Sequence, residues 1–220
     1  MSNKVIKNQK MNFYLSISGI IVPVLFIILV GGLGMLEPGY SHKTEMMSIL
    51  GGVEGVRGTT FNTGVALIGV LIIAFGIGLH RSITNGEGSK IGPVMIVLGG
   101  LGLIGSAIFH CNVDCANVVV SQTLGGTMHI LFAFIAGMNF AVSPFFIFAR
   151  MRKDPKWKNY TWVTLTTGIL ANIPGILLWT SFFATRMTEI EGLIQRLGII
   201  FPLIWVGLMS LRMLQLQNEI

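Results

Sequence analysis

Apolar residues run along this chain in six long blocks, at about 12–36, 62–80, 91–110, 127–149, 161–184 and 197–214, separated by short polar stretches. A hydrocarbon core of roughly 30 Å takes about 20 helical residues at 1.5 Å each. Each block therefore predicts one membrane-spanning helix. The first, NFYLSISGIIVPVLFIILVGGLGML, has no small-residue cleavage site before 37-EPGY-40 and reads as an uncleaved span. The pattern predicts an all-α, polytopic transmembrane bundle of six helices over 12–214. Residues 1–11 form an N-terminal segment and 215–220 a tail.

Composition agrees. Only 11% of the 220 residues are charged, against roughly 25% in soluble domains. The net charge of +6 comes from residues between the apolar blocks, which argues for topology and against nucleic acid as a partner. Lys4, Lys7, Lys10, Arg81, Lys90, Arg150, Arg152, Lys153, Lys156, Lys158 and Arg212 share one side; Lys43, Arg57, Arg186 and Arg196 share the other. By the positive-inside rule both termini are cytoplasmic, in a multi-pass protein of the cell membrane whose first partners are membrane lipids. Gly99, Gly102, Gly105 and Ser106 recur at helical spacing and predict a close helix seam. Pro144, Pro174 and Pro202 fall inside spans. Asn139 and Asn172 are mid-span amides, read as glue between helices or as part of a path.

The remaining chemistry gathers at the extracytoplasmic ends. Asn62, His110, Asp114, His129 and Arg196 fall in one layer, with Tyr40, His42, Glu45, Glu189 and Glu191 in loops above it. His129 shares a helix face with Ala133, Ala136, Phe140 and Ser143 and must find a polar partner in the interior. It is either a satisfied interfacial histidine or an acid/base group oriented by Asp114. Arg196 either pairs with Glu191 or Glu189, or clamps a phosphate or carboxylate. Asn62, Tyr40 and Glu45 complete the candidate ligand-binding set. His110 and Asp114, four residues apart, could share a zinc ion with His129 and His42, although no motif requires a cofactor. Cys111 and Cys115 have the same spacing and read as a disulfide or as free thiols.

The order of 38-PGYS-41, 48-SILGG-52, 61-FN-62, His129 at the head of the fourth span and 192-GLIQR-196 at the head of the sixth resembles the domain of unknown function 998 family, integral membrane proteins of bacteria and archaea. The likeness covers roughly 12–214. It implies a six-helix membrane domain without a defined activity. That family's turn after the third span reads Phe–Pro–x–Asp where this chain has 109-FHCNVD-114, so His110 and the cysteines are particular to this sequence. Three functions stay open: binding or processing of a lipid or lipid-linked substrate in an outward-facing pocket, a non-catalytic accessory role, and a small transporter or channel.

Overall fold

The computed structural model describes residues 3–83, 90–111, 123–183 and 189–219. Their regular structure is all helical, with no strand among them, and six helices are long and apolar enough to cross a membrane. The first crossing is a continuous rod: α1 (Asn3–Phe26) widens into a π-helical turn at Ile27–Gly31 and continues as α2 (Gly32–Leu36). After a loop containing the single-turn α3 (Ile49–Gly52) come α4 (Val56–Ser82), α5 (Ile91–Ile108), α6 (Leu124–Met151), α7 (Thr161–Phe183) and α8 (Glu191–Asn218). Most of these helices overrun their apolar blocks by several residues at the polar ends. Helical hydrogen bonding continues into the headgroup zone, where side chains no longer need to be apolar. This is a multi-pass helical membrane protein.

The crossings form a ring. Each long helix packs on its neighbours in sequence, and α8 closes back on α1. Large aliphatic side chains such as Val24, Ile28, Ile173 and Ile204 point outward and are more than half exposed, as helices facing hydrocarbon require. The tight side of the ring is where α1, α4 and α8 meet around Val22, Phe75, Trp205 and Met209. Phe75 meets Trp205 edge to face at 5.9 Å. Trp205 Nε1 donates to Thr164 Oγ1 at 3.0 Å, tying α8 to α7. The predicted glycine seam is present between α5 and α6: a Cβ on Gly102 would lie 2.8 Å from the Ala136 nitrogen, and one on Gly105 2.3 Å from the Phe132 ring.

At the end that carries both termini, basic residues do more than mark topology. Arg150 is 7% exposed. Its Nη2 donates to the carbonyls of Ile83 and, at 3.2 Å, His80, and its Nη1 lies 3.0 Å from His80 Nδ1. These carbonyls lie at the C-terminal end of α4, in its last turn and at its cap Ile83, where intrahelical donors run out. Trp157, fully buried, donates from Nε1 to Ser82 O at 3.2 Å. Arg212, which the spacing from Arg196 marks as snorkelling, binds Lys156 O through Nε and Nη2 and pairs with Glu219 at 2.8 Å.

Candidate functional site

At the opposite end, the loop from Glu37 to Gly55 is folded by its own polar groups. Gly39 takes a positive φ of 79°, which only glycine adopts at no steric cost, and Tyr40 N–H then bonds Glu37 O at 3.2 Å. The Glu45 carboxylate accepts the Ser41 N–H at 2.6 Å, and Glu45 N–H bonds Ser41 O at 2.9 Å. Glu45 therefore serves its own turn.

The loop is fastened to two helix heads. On α8, Leu193 N–H donates to Lys43 O at 3.0 Å, and Gln195 Oε1 accepts from Met47 N–H at 2.7 Å. Arg196 donates through Nη1 to Glu45 O at 3.0 Å and Gly192 O at 2.8 Å, and through Nη2 to the Tyr40 hydroxyl. Its guanidinium also sits 5.7 Å from the centre of the Tyr40 ring. The Tyr40 hydroxyl in turn donates a hydrogen bond to Met46 O at 3.3 Å. Gly192 permits the approach: a Cβ there would lie 2.4 Å from Glu45 O. On α4, Asn62 Nδ2 donates to Gly51 O at 2.8 Å. Arg57 bonds Leu36 O at 2.8 Å and pairs with Glu37 at 3.1 Å. The short motifs PGYS, SILGG, FN and GLIQR, scattered along the sequence, thus converge on one clasp.

Electrostatics in the clasp follow from burial. Tyr40 holds its proton more tightly than a free phenol because burial disfavours the phenolate, although Arg196 pulls the other way. His42, edge-on to Tyr40 at 5.2 Å, is pushed below the usual imidazole range by burial and then by the Arg196 charge.

His129 stands apart from the clasp. Its Nδ1 lies 2.9 Å from Ser106 O and 3.0 Å from Phe109 O, carbonyls at the end of α5. Two acceptors around one nitrogen require Nδ1 to carry the proton, which leaves Nε2 as the acceptor of the neutral ring. The histidine staples α6 to the end of α5, as Thr123 caps α6 itself by accepting Gly126 N–H at 3.2 Å.

Beneath the clasp, inside the ring, lies a cavity of about 550 Å³. Met46, Met47 and Ser48 of the loop reach it from the clasp end, where Asn62, His129 and Gln195 also border it; deeper, Phe140, Trp179, Pro144, Pro174 and Pro202 line it. Among the described residues that line it, none is Asp, Glu, Lys or Arg. Arg196 and Tyr40 are held in the clasp and do not reach the wall. Asn172 does, while its Nδ2 bonds Ala141 O at 2.8 Å and Gly168 O at 2.7 Å, joining α7 to α6. Asn139 Nδ2 bonds only Ile135 O of its own helix, at 2.8 Å.

The expected site residues are therefore partly assembled. Asn62 and His129 share the cavity wall, and Arg196, Tyr40 and Glu45 share the clasp. His110 is exposed, and Glu189 is exposed while Glu191 is buried. Cys111 is buried and is not a free thiol. Asp114 and Cys115 lie outside the described residues. No group of three or more His, Cys, Asp or Glu comes together among the described residues. Gln195 and Arg57 are clasp residues that the chemistry of the sequence did not single out: Gln195 stands within GLIQR, and Arg57 enters only the charge count.

No curated protein and no solved structure matches the chain. The model of one family does, over residues 20–212, and the chain belongs to that family, described as protein of unknown function (DUF998).

Proposed function

We propose that the protein is a binding protein of the cell membrane that holds a lipid-like amphiphile with an uncharged polar head in its central cavity. The observation that carries this reading is the character of the wall. A cavity of about 550 Å³ falls in the range of small-molecule sites, roughly 300–1,000 Å³. Its wall is apolar except for a few neutral hydrogen-bonding groups, with Asn62, Gln195 and His129 together at the clasp end. An ionised headgroup there would lose its hydration without a counter-charge, at a cost of several kcal/mol. A hydroxyl or amide head would find partners at the clasp end, with its chain among Phe140, Trp179 and the prolines. In this reading Arg196, Tyr40, Glu45 and Asn62 serve the ligand by holding the roof, and His129 offers Nε2 to the head. The basic residues clustered with the termini support a cytoplasmic location for that end and an extracytoplasmic one for the clasp.

Tryptophan fluorescence tests the reading, because Trp179 and Trp205 both line the cavity. Titration of the micellar protein with an acyl-brominated diacylglycerol is expected to quench saturably. Gly137→Phe should abolish that quenching: a Cβ at Gly137 makes only an ordinary contact, 3.5 Å from Trp179 Nε1, so the ring fills the cavity without breaking the helix. Quenching that never saturates, or that persists unchanged in Gly137→Phe, would overturn the proposal.

A further inference from the structure

A second pocket lies at the other end of the bundle, where α1, α4 and α8 meet the connection between α6 and α7. It measures about 120 Å³ and is bordered by Asn12, Ser16, Arg81, Ser82, Lys156 and Gln217. Its two cations come from different elements, and neither has an acidic partner among the described residues, whose ion pairs are Arg57–Glu37 in the clasp and Arg212–Glu219 at this end.

Arg81 is held through its side chain and Lys156 through its backbone. Arg81 Nε donates to Asn12 Oδ1 at 3.0 Å, which aims the guanidinium and leaves its two Nη groups without an acceptor among the described residues. Lys156 is fixed through its backbone: its N–H bonds Asp154 Oδ1 at 3.0 Å, and its carbonyl accepts from Arg212 Nη2 at 3.0 Å. The neighbouring acceptors are already engaged. Asn12 Oδ1 takes the Arg81 proton, and Ser16 Oγ accepts from Gln217 Nε2 at 2.9 Å while donating to Asn12 O at 2.9 Å. The groups left over on these bordering side chains are chiefly donors, namely the Arg81 Nη groups, Lys156 Nζ and Asn12 Nδ2, beside the Gln217 amide oxygen. Two cations and an amide donor with no counter-charge among the described residues match a multidentate oxyanion, and arginine's fork suits phosphate geometry best.

We propose that this pocket binds a phosphate group, from an anionic lipid headgroup of the adjoining leaflet or from a soluble phosphate. The site is separate from the central cavity in place and in chemistry: one takes a charged head at the bundle's basic end, the other an uncharged one beneath the clasp.

Thermal unfolding of the whole protein in mixed micelles tests it, with dioleoyl phosphatidylglycerol in one arm and inorganic phosphate in the other. Stabilisation by the lipid but not by inorganic phosphate identifies a headgroup site, and equal stabilisation by inorganic phosphate identifies a soluble anion. In either case Arg81→Gln with Lys156→Gln should raise the concentration needed by about tenfold or more, as expected for losing charge-assisted bonds. Lys153→Gln with Lys158→Gln removes the same charge from residues that do not border the pocket and should leave the response intact. Should the first pair fail to fold, Asn12→Ala keeps both charges, removes the amide donor and the brace on Arg81, and should raise the concentration severalfold. No stabilisation by either anion, or the same response in every variant, would overturn the proposal.

Discussion

Replacing Arg196 by methionine measures what the clasp is worth. The substitution keeps a long side chain in the same space but removes every donor. Of the three hydrogen bonds Arg196 makes, the one to Gly192 O lies within α8 and does not hold the loop; those to Glu45 O at 3.0 Å and to the Tyr40 hydroxyl do. Two charge-assisted bonds contribute about 1.5–3 kcal/mol each. The ring contact with Tyr40 adds about 0.5–1 kcal/mol. Against this stands the burial of a guanidinium whose Nε has no partner, at about 1–3 kcal/mol. The balance is about 3 kcal/mol, or about a hundredfold in the equilibrium between seated and lifted loop. Lys43 is exposed, but its carbonyl is bonded to Leu193 N–H at 3.0 Å, so trypsin must wait for the loop to lift. When opening is fast relative to cleavage, the cutting rate follows the open population. The fragment ending at Lys43, quantified by mass spectrometry, should therefore appear about a hundredfold faster in Arg196→Met. Equal rates in the two proteins would refute the claim that Arg196 holds the roof.

The same digestion should respond to acid when a protease active at low pH is used. The seated loop holds the His42 pKa below the ordinary value of about 6.5, so the lifted loop takes up the proton more readily; stability is present above that value and is lost as pH falls below it. Loop cleavage should rise below about pH 6.5 and lose that dependence in His42→Gln. Arg150→Met should orphan the Ile83 and His80 carbonyls and cost about 2–4 kcal/mol, read as a fall in melting temperature that Arg150→Lys restores only in part because lysine has no fork. Asn172→Ala removes the α7-to-α6 bond to Ala141 O and should cost about 0.6–1.7 kcal/mol in the same assay.

The six crossings are legible in the sequence because the bilayer imposes a length on every apolar block and leaves few alternatives. The glycine seam of α5 is legible for a related reason: only small residues at helical spacing allow the approach of Phe132 and Ala136. The clasp is legible only as a set of motifs in order. Its bonds run from side chains to backbone carbonyls, and carbonyl positions are set by the loop fold, not by residue type. Arg196 illustrates this, since the acids close in sequence, Glu189 and Glu191, suggested an ion pair while the bonds run to Glu45 O, Gly192 O and Tyr40. Arg150 was hidden differently. A basic residue at a helix end satisfies the topology rule whether it faces headgroups or, as here, the final carbonyls of α4. The cavity leaves no local trace, because it arises from closing six helices into a ring.

The central claim concerns what fills that ring, and mass analysis of lipids retained by the protein after mild detergent purification tests it most directly. The account predicts about one neutral-headed lipid per chain, lost in Gly137→Phe but kept in Arg81→Gln with Lys156→Gln. No retained neutral lipid, or one retained equally by Gly137→Phe, would contradict it.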